Sequence, residues 1–511
     1  MNNLPRFLKV ISLGALFLLG IHFLWLRIHA PGWPAGDEGS WMSVAAEFAR
    51  GRGFTTRWLE FHWLQPYTLP RPDDFRYPFL TLILASSFRL FGFTYSVGLI
   101  TVATLFLGFA AAFFFAMRRY WGSTAAVLGV ALLICSPLQL EWNSQIYTEG
   151  LFGLMLSGLA YYSFKERIRS YPYWIGLGIG IGLLCLVRPN GILFAPGLIA
   201  LWWFRRREGA TWMHLTSSLI SLGIMVSPWL IRNRIFFGNP FHVAGSAGLL
   251  RAEHAEAATA TLTEYLSKNG IGFPLYRLIL GIPRFMRDLH FFEHGLEIIP
   301  LLLFLWSLRR GRFYNPFLTT GFALSFLACG YSAYNSWAGV RYFTAFLPFL
   351  YVAGVAEAMA GISWAWMRME HRAFAVLALT GILLLPVLNP HRFYERHYGT
   401  LIGAELAIQK HSLALGRILP QGGNYYAQSL CQVNFQNAHL NCVGLQELND
   451  PSWYAKSETT FKPRILALRP GEERSVDMLK AGERFKMEGF SVDTLEVLDS
   501  TYYLRLNPSK R

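Results

Sequence analysis

The chain has 511 residues, 53% hydrophobic and 16% aromatic but only 15% charged, against about 25% charged in an ordinary soluble domain, which excludes a water-soluble enzyme. The formal charge of +15 is compatible with nucleic acid, anionic lipid or membrane-topology signals. Placement selects the last: the clusters Arg118-Arg119, Lys165/Arg167/Arg169, Arg205-Arg206-Arg207, Arg309-Arg310/Arg312 and Arg368/Arg372 each follow an apolar run, and none forms an RNA-binding pattern.

The expected fold class is therefore a polytopic α-helical membrane protein. A spanning helix needs about 20 mostly apolar residues. Such runs occur near 8 to 28, 96 to 117, 123 to 141, 146 to 164, 173 to 188, 190 to 204, 212 to 230, 293 to 308, 314 to 332, 342 to 361 and 373 to 389, about eleven spans. The first lacks a small-x-small cleavage site and precedes many others, so it reads as retained. If the N-terminus is cytoplasmic, alternation puts the basic clusters inside. The far side then receives residues 29 to 95, the turns near 142, 188 and 335, residues 231 to 292 and everything after 390. No Asn-x-Ser/Thr acceptor with x other than Pro occurs, which favours a bacterial inner membrane, with the far side periplasmic, over a eukaryotic lumen. The segment YPFLTLILASSFRLFGF, 77 to 93, is short and interrupted by Arg89; counting it as a span would invert every later loop, so it is expected along the interface.

Glycines 176, 178, 180 and 182 fit no dinucleotide-binding register and read as small-residue helix packing. From about 390 charges and amides rise, and runs such as RILALRP and STYYLRLNP read as strands. This predicts a transmembrane module over 1–390, with interfacial helices in its 29–95 loop, and a soluble α+β domain over 391–511 on the non-cytoplasmic side. Cys135, Cys185 and Cys329 lie in apolar runs and read as small buried hydrophobes. Cys431 and Cys442 are able to form a disulfide if exported and stay reduced in the cytosol, and spacing alone does not fix the pairing.

The stretch PGWPAGDEGSWMSVAAEFARGRGF, 31 to 54, places Asp37 and Glu38 between an apolar run and an amphipathic one. Exported acids at a membrane surface suit a general base, which takes a hydroxyl proton as that oxygen attacks. The competing reading makes Asp37 a helix N-cap, with Glu38 complementing the helix dipole. Arg76, Arg188, Arg232, Arg234 and Arg341 abut spans on the side that topology leaves unbasic. Their planar forks suit a lipid phosphate; snorkelling or pairing with Asp37, Glu38, Glu149 or Asp288 is the structural alternative. Glu149 opens the fourth span at a depth where a carboxylate is costly, which implies a partner or a role. The histidines have no zinc-type spacing. The sequence requires no metal or other cofactor, and a divalent metal is compatible with the chemistry.

In order, GDEGSWMSVAAEFARGRGF, RYPFLTLILASSFRLFG, YTEGLFGLMLSGL, GIGIGLLCLVRPNGILFAPGL, PWLIRNRIFFGNP and RYFTAFLPFLYVAG resemble the GT-C membrane glycosyltransferases. The resemblance is to the branch of protein O-mannosyltransferases and lipid A aminoarabinose transferase, over residues 1 to 390. It implies a polyprenyl-phosphate-linked sugar donor, a lipid, glycan or protein acceptor, and inverting transfer on the non-cytoplasmic face. By position the first-loop acid falls on Asp37 with Glu38 beside it, and the acid after the third span on Glu149. Arg188, Arg232 and Arg341 fall where basic residues recur, while Ser40 to Ser43 and RYPF depart from the family pattern. A multi-pass transporter or flippase of lipid-linked saccharides also shows about eleven spans, but it needs neither the acidic loop nor the soluble tail, and no internal repeat is found.

Overall fold

The computed structural model describes residues 37–59, 68–165, 167–242, 262–293, 298–309, 315–334, 338–366, 409–427, 439–444, 465–468, 490–498 and 501–508, with scattered helical positions between 14 and 28. The expected span 373 to 389 lies outside them, as does most of the first. Fifteen helices are labelled α1 to α15 in chain order: α1 Asp37–Ala49, α2 Pro78–Phe91, α3 Tyr95–Trp121, α4 Ser123–Cys135, α5 Pro137–Asn143, α6 Glu149–Ser163, α7 Tyr171–Val187, α8 Ala195–Arg205, α9 Trp212–Phe237, α10 Leu262–Asn269, α11 Phe273–Glu293, α12 Ile298–Arg309, α13 Pro316–Ala333, α14 Ala338–Phe343 and α15 Leu347–Trp366.

Among the described residues α3 and α9 are long and apolar enough to cross a membrane. With 27 and 26 residues they run about 40 Å at 1.5 Å per residue, beyond the ~30 Å hydrocarbon core. α3 begins at Thr94, whose side chain accepts from the Val97 N–H, and ends at Gly122 with φ +87° after Arg118 and Arg119 in its last turn. Both ends follow ordinary capping chemistry. On α9, Leu215, Ser218 and Leu222 are buried, whereas Ile220, Ile224, Ile231 and Ile235 are all more than half exposed on the opposite face. An apolar stripe turned outward is what lipid solvation allows.

The run 123 to 141, expected as one span, is two helices. Ser136 ends α4 and caps α5 by accepting from the Gln139 N–H at 3.1 Å. Pro137 has no N–H to continue α4 but suits the first position of α5. In the run 190 to 204, a 3₁₀ turn over Pro189–Phe194 precedes α8. The glycine run works as predicted, on two faces of α7. A Cβ at Gly178 would stand 2.0 Å from the Ser218 carbonyl oxygen of α9, and one at Gly180 would stand 2.7 Å from Leu159 of α6.

Eight strands are numbered in chain order. β1 Thr55–Thr56 pairs antiparallel with β3 Arg71–Pro72. The others, β2 Trp58–Leu59, β4 Gly423–Ala427, β5 Leu440–Gly444, β6 Ile465–Leu468, β7 Phe490–Leu498 and β8 Thr501–Pro508, form a six-stranded sheet in the order β2-β5-β4-β6-β8-β7. It is parallel from β2 to β6 and antiparallel from β6 through β8 to β7. RILALRP and STYYLRLNP thus become β6 and β8. Tyr425, Ala427, Leu440, Cys442, Ile465 and Ala467 bury one face against Ala414 and Leu415. The edge strand β2 comes from the first loop: Trp58 lies in register with Cys442, and Arg57 donates to Asn441 Oδ1 at 3.1 Å. Cys442 is disulfide-bonded; Cys431 lies outside the described residues. Cys185 and Cys329 are free thiols.

Candidate active site

Asp37 opens α1, and arginines from two distant segments occupy both its carboxylate oxygens. Arg76 Nη2 donates to Oδ1 at 2.9 Å and Arg341 Nη1 donates to Oδ2 at 2.7 Å. Arg76 Nε also donates to Ser40 Oγ at 2.9 Å, and its guanidinium lies 5.3 Å from the Trp41 ring centroid. Ser40 and Trp41 follow Asp37 by three and four residues, so the three side chains share one face of α1.

Arg341 Nε donates to Glu149 Oε1 at 2.7 Å, and Arg188 donates to the same oxygen and to Thr148 Oγ1. The guanidinium of Arg341 stands 3.8 Å from the Tyr147 ring centroid, a cation–π contact that fixes its plane. Arg76, Asp37, Arg341, Glu149 and Arg188 therefore alternate in sign, three cations against two anions. The series runs from a buried end, where the Glu149 side chain is 1% exposed, to an open end, where that of Asp37 is 40% exposed. Glu149 Oε2 is buried and has no hydrogen-bond partner among the described residues. Burial raises the Asp37 carboxyl, but the Arg76 and Arg341 guanidinium groups outweigh that and hold it well below the usual carboxylate range.

Three predicted residues lie outside this series. Glu38, expected as a second acid beside Asp37, is fully buried. It accepts from the Tyr95 hydroxyl at 3.1 Å and from the Ile146 N–H at 2.8 Å. Adjacent helical residues point about 100° apart, so the pair cannot share a face, and Glu38 ties α1 to α3 and to the turn before α6. Arg232, expected to bind substrate, donates to the carbonyl oxygens of Asp73 at 2.6 Å and Phe54 at 3.2 Å and lies 4.5 Å from the Trp229 ring centroid. It clamps the loop that carries Arg76. Arg234 bonds only the Gly238 carbonyl of its own helix end among the described residues.

Sequence reasoning missed the support of Arg76. Asp73 Oδ2 accepts the Arg76 main-chain N–H at 2.7 Å, and Asp74 Oδ2 accepts from Arg71 at 3.0 Å and meets His242 Nε2 at 2.8 Å. Burial and the neighbouring Asp74 push the Asp73 carboxyl up to about 6. The available signal was Asp73 three residues before Arg76, the spacing at which a capping side chain accepts a main-chain N–H. Among the described residues no group of three or more His, Cys, Asp or Glu could hold a metal ion, and both acids here are engaged by guanidinium groups.

The site residues gather at one end of the helices. Glu149 begins α6, Arg188 follows α7, and Arg232 lies near the end of α9. Basic clusters gather at the other end: Arg119 and Lys165 lie over the Tyr161 ring, and Arg169 donates to the Glu208 carbonyl.

With that geometry in view, residues 71–231 match the family model described as dolichyl-phosphate-mannose-protein mannosyltransferase. Among solved structures the fold is similar to ArnT from Cupriavidus metallidurans bound to undecaprenyl phosphate, with 15% identity, a TM-score of 0.55, and 97% of this chain and 98% of that chain covered. It is also similar to the oligosaccharyltransferase AglB of Archaeoglobus fulgidus in complex with an inhibitory peptide and a dolichol-phosphate, with 11% identity, a TM-score of 0.58, and coverage of 90% and 69%. A third likeness is to the arabinofuranosyltransferase AftD from Mycobacteria, with 13% identity, a TM-score of 0.51, and coverage of 99% and 40%. No curated protein sequence matches the chain. The fold is one that these glycosyltransferases share, and the family match over residues 71–231 lies within it.

Proposed function

We propose that the chain transfers a sugar from a polyprenyl-phosphate donor to an acceptor hydroxyl, with inversion, on the non-cytoplasmic face of a bacterial inner membrane. The observation that carries this reading is Asp37 held between Arg76 and Arg341 at the open end of the charge series. The acceptor oxygen attacks the anomeric carbon and gives its proton to Asp37 while the carbon–oxygen bond to phosphate breaks. The electron pair leaves with the phosphate, whose charge Arg76 and Arg341 receive without a general acid. Arg188 holds Glu149 in place, and Glu149 Oε2 accepts from a donor-sugar hydroxyl or amine. Glu38 acts through helix α1 as a positioning residue.

The end carrying the site is opposite the basic clusters, which fits the positive-inside rule if the site faces away from the cytoplasm. The disulfide-bonded Cys442, in a sheet that β2 joins, fits an oxidising compartment on that same side. Residues 1–390 then form the membrane module and 391–511 a soluble domain over the site.

The test uses the purified protein in lipid with synthetic polyprenyl-phosphate sugars, and reads sugar release to water or to added envelope acceptors. Asp37→Asn keeps the side-chain shape and one acceptor oxygen but cannot take the proton. Turnover is expected to fall by about 10²–10⁴-fold. Normal turnover in a folded Asp37→Asn protein removes the base assignment.

A further inference from the structure

We infer that the donor's own phosphate frees the base: its oxygens displace the Asp37 carboxylate from Arg76 and Arg341, so that Asp37 accepts a proton only while donor is bound. The inference rests on the proposed reading that those two arginines receive the phosphate, and it adds the order of events at the site.

Three features of the geometry support the exchange. First, Asp37 is spent as a base in this state, because each carboxylate oxygen accepts a charge-assisted bond, at 2.9 and 2.7 Å. Second, both arginines are anchored independently of Asp37. Arg76 keeps Ser40 Oγ and the Trp41 ring, and Arg341 keeps Glu149 Oε1 and the Tyr147 ring. Each therefore exchanges the nitrogen facing Asp37 from one anion to another without losing its place. Third, the Asp37 side chain is 40% exposed whereas those of both arginines are 11% exposed. The carboxylate is the member with room to move, and the cations stay.

Charge drives the exchange in the same direction. Three guanidinium groups against two carboxylates leave one positive charge, which a phosphodiester monoanion neutralises. A released Asp37 next to that anion regains its affinity for a proton, because opposite charges no longer hold it ionised and a like charge opposes ionisation. After transfer, polyprenyl phosphate leaves, Asp37 loses its proton to water, and the two ion pairs re-form. A donor-free enzyme thus has no competent base.

The experiment measures binding of undecaprenyl phosphate, the product-type ligand, to the protein in nanodiscs, with thermal unfolding confirming that each variant is folded. Removing the competitor should tighten binding, so Asp37→Asn is expected to bind at least about tenfold more tightly than wild type. Asp37→Ser should do the same, while Asp37→Glu, which keeps the competing charge, should stay near wild type. Arg76→Ala and Arg341→Ala should each weaken binding by about tenfold or more. Unchanged or weaker binding by folded Asp37→Asn and Asp37→Ser, or tightening by Asp37→Glu, overturns the exchange. If the arginine variants weaken binding in that case, the phosphate site itself stands. Unchanged binding in both arginine variants overturns the phosphate site and the exchange together.

Discussion

Asp73 shows how a residue away from the chemistry governs it. Its side chain fixes the Arg76 main-chain N–H and its carbonyl takes Arg232, so one residue connects Arg76 to the end of α9. Burial and Asp74 raise its carboxyl from 3.8 to about 6. Between those values the folded protein holds a proton that the unfolded chain has released, so stability falls as pH rises through that window. The contribution is complete below pH 3.8 and lost above about pH 6. Thermal unfolding across this range should show the wild-type midpoint dropping relative to Asp73→Asn, which cannot ionise; parallel curves contradict the shift. At this scale the sequence read well for charge and poorly for direction. Asp37, Glu149, Arg76, Arg188 and Arg341 were legible because a charge beside an apolar run is costly without a purpose. Glu38 and Arg232 stand outside the charge series, because adjacency and topology do not say which way a side chain points.

Helix α7 shows an element decided by what it omits. Its glycines admit the α9 backbone on one face and α6 side chains on the other, and these contacts hold Arg188 and Glu149 together at the site end. Gly178→Leu would drive a side chain into the Ser218 carbonyl, 2.0 Å from the Cβ position. It should lower stability by several kcal/mol, about 3 or more. Gly158, whose added Cβ would meet nothing within 4 Å, is the control: Gly158→Ala should be neutral or stabilising by about 0.5–1 kcal/mol. Unfolding midpoints that do not separate the two variants contradict this account of α7. Apolar period and glycine spacing made α3, α6, α7, α9 and α13 readable from the sequence. The break between α4 and α5 was written there too, as Ser136-Pro137, a helix-start signal hidden inside a run whose hydrophobicity never falls.

For the whole molecule, the decisive property is polarity along the helix axes. Basic loops gather at one end, an alternating series of arginines and carboxylates gathers at the other, and the β2 strand of the first loop extends the C-terminal sheet. The pairing of β2 with β5 was not legible in the sequence: two residues carry no periodicity, and their partner lies more than 380 positions away. Long-range pairings are set by tertiary packing and leave no local signal. The sequence did reveal the consequence that matters for function, which is that the acids and the unexplained arginines share one end.

The most direct test of that claim is a structure of the protein with undecaprenyl phosphate bound. The account predicts the phosphate within hydrogen-bond reach of both Arg76 and Arg341, the Asp37 carboxylate released from them, and the Arg341 contact to Glu149 intact. A phosphate bound elsewhere, with both Asp37 ion pairs undisturbed, contradicts it.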